Sequence, residues 1–201
     1  MTLVVDGRKI RTNFTGGTTL SSLLRFVMDL PECRGRAIDS VELNGVPVEF
    51  WDETSLLSIP PDSEVRVCTR PVKRLLLETA LSCRDYLPRL MQGCISTAVQ
   101  LQRGRQQEAF VALQEIISGL DWYNEFLSQV VSFELKVHDD ARVRLDAFRK
   151  VLSQLLPCLE ERDFTVLADL LEYDLVPELQ AGLAVVDLLV AELAAESGNG
   201  K

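Results

Sequence analysis

Hydrophobic and polar positions alternate with period two along the first seventy residues and then change period. Leu3 and Val5 alternate up to Asp6-Gly7, a hairpin turn pair, and Ile10, Thr12 and Phe14 alternate after it. Thr15-Gly16-Gly17 follows. Thr18 or Thr19 then stands where an N-cap belongs, ahead of a short helix that gathers Leu20, Leu23, Leu24, Val27 and Met28 on one face. Pro31 is expected to stop that helix. Val41 and Leu43 lead into Asn44-Gly45, a second hairpin signal, and Val46, Val48 and Phe50 return from it. Pro47 puts the returning strand at a sheet edge, because proline has no N–H to give the ladder. A loop with Leu56, Leu57 and Ile59 precedes a last strand through Val65 and Val67. The predicted order is strand, strand, helix, strand, strand, loop, strand.

From Val72 onward the apolar positions step by four and three. Leu76, Ala80, Cys83, Leu87, Leu90 and Cys94 form one seam; Ala109, Leu113, Ile116, Leu120, Tyr123, Leu127 and Val130 form a second. A third runs Leu145, Phe148, Leu152, Leu155, Leu159, and a fourth runs Val176, Leu179, Leu183, Val186, Val190, Leu193. Such seams are what bundle helices present to a shared core. The breaks fall at Arg103-Gly104-Arg105, at Val137-His138-Asp139-Asp140 with acidic N-caps, and between Glu160 and Asp163. Short connections predict antiparallel neighbours. The expected fold is therefore α+β, with a strand-rich domain over residues 1–70 and an antiparallel four-helix bundle over 72–201. Ahead of Pro177 the stripe is Phe164, Ala168, Leu171 and Leu175, and it restarts at the adjacent Val176. Neighbours on a helix lie about 100° apart, so a kink is expected between Glu172 and Val176.

The element order over residues 1–70 resembles the ubiquitin-like β-grasp fold. Glu42-Leu43-Asn44-Gly45-Val46-Pro47-Val48, followed by Asp62-Ser63-Glu64-Val65, resembles its sulfur-carrier branch, where a strand–NG–strand hairpin precedes entry to the last strand. The resemblance implies a β-grasp domain. Its relatives act through a free C-terminal Gly-Gly carboxylate. Here the last strand runs through Arg70 into Pro71, Val72 and Lys73, and the chain ends in Gly198-Asn199-Gly200-Lys201, so that chemistry is not expected. The helical part is similar to flagellar export chaperone-type bundles, through Leu101-Gln102-Arg103-Gly104, Glu108-Ala109, Ile116-Ile117-Ser118 and Gly119-Leu120-Asp121.

Composition narrows the function classes. The 21 Lys and Arg stand against 30 Asp and Glu, a net charge of −9, which disfavours binding to nucleic acid and to anionic membranes. No apolar h-region opens the chain, and Ala181 to Ala195 is too short and too interrupted by Asp187 and Glu192 to span a bilayer. Cys33, Cys68, Cys83, Cys94 and Cys158 are odd in number and lack a CxxC pair, so they read as thiols in apolar surroundings in a reducing, cytoplasmic setting. The single histidine, His138, reads as a solvated loop residue and removes His-based triads and Glu-x-x-His di-iron sites. Gly16-Gly17 lacks the Gly-Lys-Ser/Thr of a phosphate loop, and Asp139-Asp140 reads as helix capping. No catalytic residue, metal or cofactor is expected.

What remains is surface. Residues 151–200 hold ten acidic residues against one basic residue, Arg162. There Asp169 and Tyr173 lie one turn apart, with Glu172 at their flank: either a solvated acidic face or a patch that receives a basic partner segment. Trp122 either packs on the N-terminal half or marks a binding surface, while Tyr123 keeps the seam with its hydroxyl expected at the edge. The leading reading is a non-enzymatic interaction module, adaptor or chaperone-like, whose partner is another protein. The alternatives are an enzyme or enzyme subunit with a carboxylate/Arg site between the two halves, and a structural homo-oligomer.

Overall fold

The computed structural model describes residues 1–12, 18–49, 57–133 and 135–198. Phe14, Thr15-Gly16-Gly17, Phe50, Leu56 and the terminal Asn199-Gly200-Lys201 lie outside the described residues. The architecture is mixed α+β: a five-stranded sheet with one short helix comes first, and long helices follow. Contacts divide the chain into two compact units, Met1–Leu75 and Leu76–Lys201.

The first unit is built by two tight turns. β1 (Thr2–Val5) and β2 (Arg8–Ile10) pair antiparallel across Asp6-Gly7. β3 (Arg36–Leu43) and β4 (Val46–Pro47) pair across Asn44-Gly45. All four turn residues have positive φ (47°, 79°, 52° and 79°), the geometry that matches strand twist and that Asp, Asn and Gly tolerate best. The sheet order is β2-β1-β5-β3-β4, with β5 (Glu64–Pro71) parallel to β1 and antiparallel to β3. Pro47 thus sits on an edge strand, which needs no N–H from it. That strand is only two residues long: Val48 falls outside it, although its N–H still donates to the Val41 carbonyl at 2.9 Å. β2 likewise ends before Thr12.

α1 (Leu20–Met28) starts at Thr19, whose Oγ1 accepts from the Ser22 N–H. Its Leu20, Leu23, Leu24 and Val27 close on Leu3, Val5, Val41, Val65 and Val67 of the sheet. The helix stops before Pro31, which opens a single 3-10 turn, Pro31–Cys33. Cys68 departs from the expected apolar setting and is exposed. Val65, Val67 and Thr69 of β5 point inward, so strand alternation turns Cys68 out.

Asp6 ties this unit together. It accepts from the Thr69 N–H and the Thr69 hydroxyl, both at 2.7 Å, and lies 3.3 Å from the Arg36 guanidinium, which also donates to Thr69. Burial alone raises its pKa, but the Thr69 hydrogen bonds and Arg36 outweigh it, and the carboxyl titrates below its usual 3.8. A depressed folded-state pKa contributes stability above the unfolded value and loses it as pH falls through the folded one. The stability gap between wild type and Asp6→Asn, read from urea midpoints, should therefore be full at neutral pH and shrink below pH 3.8.

The second unit contains α2 (Val72–Gln102, from Leu76 on), α3 (Gln106–Ser132), α4 (His138–Glu160), α5 (Phe164–Asp169) and α6 (Val176–Gly198). Between α5 and α6 the chain is a π turn, Leu170–Leu175. Every residue of the first two seams is buried, and one continuous core collects side chains from all of these helices. His138 is the first residue of α4, not a loop residue, and its ring contacts Asp139 at 3.1 Å. The acidic N-cap expected there is absent: Val137 is the cap and makes no side-chain bond, while Asp139 and Asp140 sit in the first turn. Glu192 of α6 takes over, accepting from the Lys136 and Val137 N–H groups at 2.9 and 3.3 Å.

Candidate functional site

The π turn is where the expected kink was placed, and it explains the jumping stripe. The Val176 N–H donates to the Leu171 carbonyl, five residues back instead of four. One extra residue is thereby held in the turn, and the apolar face moves on by one position without a break in the helix. Leu171 and Leu175 face the core, and Leu170 is buried beside them. Asp169 and Asp174 point to solvent, Glu172 is half-buried, and Tyr173 is 64% exposed. Glu172 and Tyr173 therefore lie in the π turn, and Asp169, the last residue of α5, stands immediately ahead of it. The second unit carries eleven Lys and Arg against twenty Asp and Glu, while the first unit is balanced at ten of each. All of the chain's net charge resides with this turn's unit.

Trp122 lies elsewhere, on the outer side of α3. Its ring meets Tyr86 of α2 edge-on at 5.6 Å and stacks on Phe126 at 6.1 Å, leaving it 39% exposed. Arg89 lies 5.7 Å over the Tyr86 ring. Tyr86, Arg89 and Trp122, with Ser82, Glu115, Ser118 and Gly119, line a groove of about 370 Å³ that continues toward Gly93 and Ala112. Sequence periodicity singled out Trp122 but neither Tyr86 nor Arg89. Ser82, Tyr86, Arg89 and Gly93 recur at i, i+4, i+7 and i+11, each one position ahead of a seam residue and about 100° from it, a stripe that nothing in the sequence marks as a site.

Tyr123 corrects the expectation of an edge-reaching hydroxyl. It is 1% exposed, edge-on to Phe148 at 5.0 Å, and its hydroxyl has no hydrogen-bond partner among the described residues. Burial, with Cys83 and Glu178 nearby, raises its pKa, only partly opposed by Arg144. Glu178 of α6 and Arg144 of α4 pair at 3.2 Å. Burial raises the Glu178 pKa, and Arg144 pulls it back only partly. One polar layer thus receives a residue from each of α2, α3, α4 and α6. The sequence offered no spacing signal for it, since its members come from four different helices.

The thiols of Cys83 and Cys94 are pushed up to about 12 by burial, so both stay protonated at neutral pH. Among the described residues no three His, Cys, Asp or Glu side chains gather as a metal site, and no helix is long and apolar enough to cross a membrane.

Residues 78–181 match a family described as a domain of unknown function, DUF8042. The chain belongs to that family. The match begins in the second turn of α2 and ends in α6, so Tyr86, Arg89, Trp122, Asp169, Glu172, Tyr173 and the Arg144–Glu178 pair all lie within the family segment, and the sheet lies outside it. No curated protein and no solved structure matches the chain.

Proposed function

We propose that this chain is a non-enzymatic protein-interaction module, adaptor or chaperone-like, whose family segment receives a basic segment of a partner protein on the π turn. The observation that carries this reading is Tyr173, a large aromatic left 64% exposed on a π turn between the carboxylates of Asp169, Glu172 and Asp174. An exposed aromatic gives contact area at low entropic cost, and the surrounding charge steers a cationic partner toward it. π turns concentrate at functional positions.

The finer fold assignments belong to the same proposal. The sheet order β2-β1-β5-β3-β4, the central parallel β1–β5 pair and the single helix packed on the sheet support a β-grasp first unit. β5 runs directly into α2, so the end of that strand offers no free carboxylate for activation. The shared core and the short connections at 103–105, 133–137 and 161–163 support a four-helix bundle in which α5, the π turn and α6 make the fourth helix. Free cysteines, two of them buried in the bundle core, support a reducing, cytoplasmic setting.

A photo-crosslinking amino acid at position 173 should trap a partner in cells. The same probe at Leu156, 61% exposed on α4, should not. Asp169→Lys/Glu172→Lys/Tyr173→Ala should abolish co-purification of that partner, with unfolding midpoints little changed because Asp169 and Tyr173 are exposed and Glu172 is only half-buried, and surface substitutions shift stability by about 0.5 kcal/mol each. Undiminished co-purification by the triple variant would overturn the assignment.

A further inference from the structure

The groove between α2 and α3 has a charge layout that complements itself. One wall presents Arg89 from α2. The other is α3, which lines the groove with Glu115 and carries no Lys or Arg at all. Arg89 and Glu115 border both parts of the groove, so they stand at the same level along it. Both are exposed. Arg89 gives its Nε–H to the Asp85 carbonyl and covers Tyr86, while Glu115 has no hydrogen bond or ion pair among the described residues. The floor between them is aromatic, Tyr86 against Trp122.

A two-fold axis laid along such a groove carries α2 of one copy over α3 of the other. Residues that share a level stay at that level. Arg89 of each copy then stands over Glu115 of the other, twice, and the Tyr86–Trp122 pair of one copy meets that of its mate across the axis. An isologous contact needs this property: each residue's partner must itself find the first residue on the other copy. A partner helix of uniform charge would satisfy one wall and be repelled by the other. We propose that the α2–α3 face of this chain is a two-fold dimer interface, its occupant a second copy, centred on Tyr86 and Trp122 and held in register by reciprocal Arg89–Glu115 pairs.

Sedimentation velocity of the full chain over a wide concentration range tests this. Wild type should show a reversible monomer–dimer equilibrium. Arg89→Glu and Glu115→Arg should each weaken it by about tenfold or more, because every reversal appears twice and sets like charges face to face. Combining the two reversals should restore the dimer to near wild-type affinity, since the exchanged walls again complement each other. Trp122→Ala should weaken it with no rescue. Circular dichroism checks that each variant is folded, and the wild-type concentration series is informative without any variant. A monomer at every concentration would overturn the proposal. So would a dimer indifferent to the single reversals, or a double reversal no better than its parents. These variants leave Asp169, Glu172 and Tyr173 intact, so the outcome is separate from that of the π-turn reading.

Discussion

Deleting Asp174 should leave the helical unit folded, whereas deleting Asp121 should abolish its cooperative unfolding. Both aspartates are exposed and helical, so side-chain loss does not distinguish them. Removing one residue from an α-helix turns everything downstream by about 100° and draws it in by about 1.5 Å. For Asp121 this sweeps Tyr123, Phe126, Leu127 and Val130, all 3% exposed or less, off the core face. Each such side chain is worth about 1.5–3 kcal/mol of burial, and their sum rivals the whole stability of a domain this size. Asp174 sits in the π turn, where the extra residue adds length without turning the face. Its deletion lets the turn close into ordinary α-helix, with α5 and α6 keeping their present neighbours. The expected melting temperature is within about 5 °C of wild type, near 1 kcal/mol. Thermal unfolding followed at 222 nm decides. If both deletions are equally destructive, the π turn does not hold a removable residue.

Gly182→Ala should destabilise the helical unit by about 2 kcal/mol, and Tyr123→Phe should rescue most of that loss. In an ordinary helix interior the first change favours folding by about 1 kcal/mol, because alanine restricts the unfolded chain. Here a Cβ at 182 would overlap the Tyr123 hydroxyl and lie 3.0 Å from its Cζ. The ring has nowhere to go: it is 1% exposed, with Phe126 and Phe148 against it. Overpacking of this kind costs about 1–3 kcal/mol or more and reverses the sign of the propensity effect. Tyr123→Phe removes the overlapping oxygen. By itself it should be neutral or stabilising, because that hydroxyl is buried with no partner among the described residues and its desolvation costs about 1–3 kcal/mol. A double-mutant cycle in urea measures the coupling directly. Additive effects, or a stabilising Gly182→Ala in wild type, would contradict the geometry.

Local signals carried much of the fold. Asp6-Gly7 and Asn44-Gly45 turn where the pairs demand left-handed backbone, Thr19 caps α1, and the seam from Ala109 to Val130 is buried without exception. α6 resisted the same reading. Val176, Leu183, Val185, Val186, Leu188, Leu189 and Val190 make it apolar on nearly every side, so periodicity could not choose a face. The expected seam through Leu183 and Val190 leaves both only half-buried, and the buried positions are Leu179, Gly182, Val185, Val186, Leu189 and Leu193. The candidate sites divide in the same way. Asp169, Glu172, Tyr173 and Trp122 stood out because each breaks a local pattern. Tyr86 and Arg89 did not, because a groove exists only once a second helix lies beside the first.

The sequence by itself determined where the two hairpins turn, where α1 starts, which residues of the α2 and α3 seams face inward, and that most of the net charge gathers in the helical part. Those features follow from interactions among residues a few positions apart, which backbone geometry repeats every two or every three to four residues. Only the tertiary structure decided the pairing of Arg144 with Glu178, the seating of the Tyr123 hydroxyl against Gly182, the capping of α4 by Glu192 and the rotation of α6. Each depends on which helix becomes a neighbour. That choice is made by packing the whole core at once, and it leaves no periodic trace in any one segment.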